Sequence, residues 1–78
     1  MYKELVEYVV KSLVEYPDEV QVSESVSGGT VLIELSVAQS DMGRVIGKRG
    51  RVINAIRSIA QVLGSKQDKR VNIEVLED

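Results

Sequence analysis

The chain has 78 residues, a net charge of −2, no cysteine and no histidine. That length accommodates one small core, and a domain of this size buries only about 60% of the surface its unfolded chain exposes. A disulfide-stapled secreted scaffold is excluded, and catalysis by histidine or cysteine is absent from the menu. The start, Met1-Tyr2-Lys3-Glu4, leads into a charged amphipathic stretch and not into a signal peptide. No apolar run approaches the roughly 18 residues of a membrane helix, so a cytoplasmic protein is expected.

Residues 2–16 carry helical periodicity. Leu5, Val9 and Leu13 form one row four residues apart, and Val6, Val10 and Val14 form the next, with Glu4, Glu7, Lys11 and Glu15 outside the stripe. Pro17 is expected to end this helix, because the residue before a proline is pushed out of the α region. Tyr2, Tyr8 and Tyr16 are read as amphipathic side chains at the margin of its buried face. Val20, Val22 and Val26 then alternate with polar residues, but Glu24 stands where alternation would place an apolar side chain. This marks an edge strand. Ser27-Gly28-Gly29-Thr30 is a hairpin turn signal, and Val31, Ile33, Leu35 and Val37 alternate cleanly after it.

The period then changes. Ser40 or Asp41 is placed to cap a short helix, Met42 to Ile46. Gly47 to Gly50 interrupts it, and a second helix starts near Arg51 with Val52, Ile53, Ile56, Ile59, Ala60 and Leu63 at helical spacing. Gly64 is read as its left-handed C-cap. After a polar connector, Val71, Ile73 and Val75 form a last strand. The order α-β-β-α-α-β predicts an α+β fold: a three-stranded mixed sheet in the order 1-2-3, the last pair parallel, with three helices on one face. Leu32 and Leu76 are its apolar exceptions on the open side.

Charge is segregated along this order. Residues 1–41 hold Lys3 and Lys11 against eight acids, a net of −6; residues 42–67 hold Arg44, Lys48, Arg49, Arg51, Arg57 and Lys66 with no acid, a net of +6; residues 68–78 net −2. Screening confines electrostatic reach to roughly 8 Å at physiological salt, so the local basic segment outweighs the acidic total. Its centre is Gly47-Lys48-Arg49-Gly50. Gly43 to Arg49 is one residue short of a P-loop and lacks its hydroxyl, and Arg44 to Ile46 separate the first two glycines that a dinucleotide fingerprint would need close together. What remains is a helix-loop-helix corner offering two cations and a helix N-terminus to a sugar-phosphate chain, with Arg44 and Arg51 flanking.

The run Val45, Ile46, Gly47, Gly50, Ile53, Ile56 resembles the signature of the KH domain. Pro17-Asp18-Glu19-Val20 and Asp41 to Lys48 extend the likeness to the small bacterial KhpA-type RNA-binding proteins, each a single type II KH domain of about this length. That resemblance implies one domain over residues 1–78 and non-catalytic binding of single-stranded RNA, as an RNA chaperone or post-transcriptional regulator. In KH domains a Gly-x-x-Gly loop clamps about four nucleotides. Carried onto this chain, Gly47, Lys48, Arg49 and Gly50 would hold phosphates. Val45, Ile46 and Ile53 would line an apolar groove, with the second strand around Ile33 to Leu35 as its floor. The resemblance further implies a homodimer, or a heterodimer with a KhpB (Jag)-type KH protein, and Ile59 and Val62 on the second motif helix offer an apolar surface for it. No cofactor, metal or catalytic residue is expected. The absence of Trp and Phe argues against aromatic stacking platforms. A protein-interaction module that keeps the KH fold without using its loop is the alternative.

Overall fold

The computed structural model describes residues 1–77. Asp78, part of the last charge segment and of the 1–78 span, lies outside the described residues. The elements are α1 (Tyr2–Leu13), β1 (Gln21–Ser27), β2 (Thr30–Ser36), α2 (Met42–Ile46), α3 (Arg51–Ser65) and β3 (Arg70–Val75). Single 3-10 turns occupy Pro17–Glu19, Gln39–Asp41 and Lys48–Gly50. The sheet order is β1-β2-β3, antiparallel from Gln21↔Ser36 to Ser27↔Thr30 and parallel from Thr30↔Arg70 to Leu35↔Val75. This is the expected mixed sheet. The hairpin turns on two glycines, and Gly28 takes the positive φ of +59° that a tight two-residue loop demands.

The core lies between the sheet and the helices. Val6 and Val10 from α1 meet Val22, Val31, Ile33, Leu35, Val71 and Ile73 from the strands, with Val45, Ile53, Ile56 and Ala60 from the motif helices. Tyr2 also belongs to this core and is not a marginal residue: its ring is buried, and its hydroxyl hydrogen-bonds the Gln67 side chain. Tyr8 and Tyr16 are exposed. Glu24 has its explanation here as well. It is half-buried on the core side of β1, where its Oε1 accepts the Lys3 N–H at 2.9 Å and so caps the first turn of α1. The α-amine of Met1 sits 2.8 Å from Glu4 and 3.7 Å from Glu24. Its hydrogen bond to Glu4, aided by Glu24, holds the amine above its ordinary pKa, and the same amine holds Glu4 below the usual carboxylate range.

Three expectations need correction. The first helix stops at Leu13, four residues before Pro17, and Val14 is already extended at φ −95°, ψ 160°. The cause is Asp41, 25 residues away. Its carboxylate is 1% exposed and accepts the backbone N–H groups of Glu15 and Tyr16, each at 3.0 Å. Asp41 therefore does not cap α2 with its side chain; it clamps the α1–β1 connection to the start of α2. Gly64 is no left-handed C-cap either, since it lies inside α3 and is buried. A Cβ there would stand 2.7 Å from Val71 Cγ2 and 2.8 Å from the Lys69 carbonyl. The glycine lets β3 start directly against the helix, and Asp68 takes the left-handed position at φ 56°. Among the described residues, no helix is long and apolar enough to cross a membrane.

Candidate nucleic-acid interface

The loop is shaped by its backbone. Gly47 closes α2 by donating to the Gly43 carbonyl at 2.9 Å, with φ 76° and ψ 172°, a region that glycine alone adopts without strain. It also lies against Val52: a Cβ would be 2.5 Å from Val52 Cγ2 and 2.8 Å from Val52 N. Gly50 differs. It donates to the Gly47 carbonyl at 3.2 Å and needs glycine for its φ of 75° alone, because its nearest neighbour would be 3.4 Å from a Cβ. Between them Arg49 is left-handed at φ 56°, ψ 27°, a conformation that costs a non-glycine residue about 1–2 kcal/mol. The strain turns the arginine outward at the tip.

Lys48, Arg49 and Arg51 are exposed, and none of them is in an ion pair among the described residues. The first turn of α3 follows at once and carries no acid, so the positive end of the helix dipole adjoins the loop, while the Arg51 N–H is taken by the Lys48 carbonyl. Arg44 is placed otherwise. Its guanidinium lies 3.5 Å from Glu15 and 3.6 Å from Asp41, so it bridges α2 to the end of α1. Val45 and Ile53 are buried in the core, which leaves Ile46, half-buried, as the apolar member of the expected groove set with surface to offer.

The expected floor also differs. Ile33 and Leu35 are fully buried because β2 is the central strand under all three helices. One shallow, open depression beside α3 lies against β3, with a volume near 480 Å³ between Arg57, Ser58 and Gln61 on one side and Val71 to Glu74 on the other. Arg57 and Gln61 escaped the sequence reading. They stand four residues apart, next to the Ile53, Ile56, Ala60 stripe, and that spacing beside a buried face was the available signal. Among the described residues, no cluster of three or more histidine, cysteine, aspartate or glutamate side chains could hold a metal.

A family model described as "KhpA/KhpB, KH domain" matches residues 3–75. The chain belongs to the KhpA/KhpB KH-domain family. The RNA-binding protein KhpA of Clostridium acetobutylicum is 49% identical over 74 residues, covering 95% of this chain and 99% of the relative. Those of Halalkalibacterium halodurans and Chlamydia pneumoniae are 45% and 42% identical, with 96% and 97% of this chain covered and 99% and 97% of the relatives. Among solved structures, an Era variant from Aquifex aeolicus bound to GDP and AlF4− superposes with a TM-score of 0.64 at 21% identity, over 95% of this chain and 29% of that one. Era in complex with MgGDPNP and nucleotides 1506–1542 of 16S ribosomal RNA gives 0.64 at 18% identity, over 99% of this chain and 31% of that one. At that identity the likeness is one of fold. The KhpA relatives are named for binding and not for a reaction, in agreement with the non-catalytic reading. The KhpA/KhpB match spans the loop, α3 and β3, so the family assignment and the local geometry concern the same residues.

Proposed function

We propose that this KH domain binds single-stranded RNA without catalysing a reaction, acting in the cytoplasm as an RNA chaperone or regulator. One observation carries the reading: Lys48 and Arg49 stand exposed, without an ion pair among the described residues, on a turn whose backbone is fixed by Gly47 and Gly50. Relatives 49% and 42% identical to this chain are named RNA-binding proteins, which supports the same class of ligand. In this reading Lys48, Arg49 and Arg51 meet phosphates together with the loop and α3 amides. Ile46 gives an apolar contact at the loop end of the cleft, Val45 and Ile53 support it from beneath, and Arg44 holds α2 in place.

The deciding experiment is binding of short single-stranded RNA to the wild type and to Lys48→Asp/Arg49→Asp. The variant is expected to keep its circular dichroism spectrum and lose at least tenfold in affinity, and equal binding by both proteins would overturn the loop's role.

A second reading has its own observation. Ile59, Val62 and Leu63 form an i, i+3, i+4 stripe on α3, exposed by 53%, 60% and 41%. A chain acting mainly through pairing with a second copy, or with a KhpB (Jag)-type protein, would cover this stripe. An unchanged phenotype of the loop variant, together with loss of a dimer by sedimentation in Ile59→Asp, is the pattern that favours it.

A further inference from the structure

Arg44, Glu15 and Asp41 form a cluster outside the loop, at the joint between α2 and the α1–β1 connection. Asp41 organises it. Its Oδ1 accepts the backbone N–H of Glu15 at 3.0 Å and lies 3.6 Å from Arg44 Nε, while Glu15 Oε2 lies 3.5 Å from Arg44 Nη2. An exposed ion pair ordinarily gains little, because two long side chains must be immobilised in water to make it. Here one buried carboxylate pins the main chain of the acid and steers the guanidinium of its partner, so much of that ordering is already in place. Arg44 and Glu15 still keep 56% and 58% of their side-chain surface exposed, within reach of a ligand. Neither contact is the short, two-pronged hold of a bidentate pair, so guanidinium donors are left over. The cluster sets two carboxylates against one guanidinium, a formal charge of −1. Arg44 stands three residues before Gly47 on α2, roughly 5 Å along the helix axis from the exposed cations of the loop. A helical side chain leans towards the N-terminus, so Arg44 addresses the phosphate next to the one at the loop.

Resting on the RNA-binding reading above, we propose that Glu15 limits RNA affinity by withholding Arg44 from phosphate. In the wild type the guanidinium is shared between two carboxylates, and a phosphodiester arriving there meets a net negative cluster. Without the Glu15 charge the cluster is neutral. Asp41 still orients Arg44 through Nε, and the Nη groups are free to take one more phosphate. Glu15 is then the residue that keeps the footprint at the loop, and a domain restrained in this way releases RNA more readily than its cations alone would require.

The test is fluorescence anisotropy with an all-uracil ribonucleotide octamer at several salt concentrations. It compares the wild type, Glu15→Gln, Arg44→Ala, the double variant and a control, Glu19→Gln, which removes an exposed acid from the neighbouring 3-10 turn. Glu15→Gln keeps the backbone N–H that Asp41 receives, so its circular dichroism spectrum should match the wild type. It should bind the octamer about three- to fivefold more tightly, the size of one charge pair near a protein surface. Its slope of log affinity against log salt should steepen by about 0.7, one further phosphate on a single strand. In the Arg44→Ala background the same substitution should gain no more than Glu19→Gln does, as a double-mutant cycle requires when one residue acts through another. Arg44→Gln carries the cycle if Arg44→Ala fails to fold. An equal gain from Glu15→Gln with and without Arg44 would overturn the proposal, because it marks only the loss of a negative charge. No gain at all would overturn it too, and either result leaves the RNA-binding reading standing. A wild type that binds no octamer brings down both.

Discussion

Gly47 and Gly50 look equivalent in a motif written Gly-x-x-Gly, yet the structure asks different things of them. Gly50 is needed for its left-handed φ of 75°, and alanine there should cost about 1–2 kcal/mol. Gly47 combines φ 76°, ψ 172° with a close approach to Val52, so alanine adds a collision to backbone strain, together about 2–4 kcal/mol. Urea unfolding of the two variants should therefore rank Gly47→Ala clearly below Gly50→Ala. The motif was legible in the sequence because glycine spacing and the surrounding apolar residues survive without coordinates. The inequality of its two glycines was not, since it depends on Val52 folding back beneath the loop. The same limit hid the commitment of Arg44 to Glu15 and Asp41: a residue's charge is written in the sequence, but its partner 29 positions away is not.

At the level of elements, local patterns set where each helix and strand begins, and contacts distant in sequence moved several ends. The alternation of Val31, Ile33 and Leu35 located β2, and the glycine pair located the hairpin. The end of α1 was misplaced because Asp41 draws the N–H groups of Glu15 and Tyr16 out of helical geometry. Asp41→Ala would leave both donors unpaired in a partly buried connection and should destabilise the fold by about 2–4 kcal/mol in thermal or chemical unfolding. Gly64 gives a sign test. Helix propensity alone predicts that alanine gains about 1 kcal/mol at an interior helical glycine. The contacts at 2.7 Å with Val71 and 2.8 Å with the Lys69 carbonyl reverse the sign, for an expected loss of about 1–3 kcal/mol. A stabilised Gly64→Ala would mean that β3 can retreat from α3.

Over the whole molecule the basic segment is thinner than its formal +6. Arg44 is paired with acids, and Arg57 is tied to a backbone carbonyl, which leaves Lys48, Arg49 and Arg51 clustered at the loop and Lys66 at the far end of α3. Residues 1–41 hold eight acids against two lysines, so in the proposed reading contact with phosphate is confined to the loop end. A shallow salt dependence follows. With about three phosphates neutralised, the slope of log affinity against log salt should be near −2, at about −0.7 per phosphate of a single strand. Titrations at several salt concentrations read it directly, and a slope of −4 or steeper would place further cations in the footprint.

The two rims of the sheet are also unequal. Side chains of α3 hydrogen-bond two outward groups of β3, the Val71 N–H and the Ile73 carbonyl, whereas among the described residues no side chain does the same for the backbone of β1. An open rim is a template for another strand, and a filled one is not. In the vocabulary of polymerisation the folded chain is unequally functional: two copies joined rim to rim through β1 would leave only the partly obstructed β3 rim as a second end. Growth by strand addition would then favour a two-fold pair over a fibre.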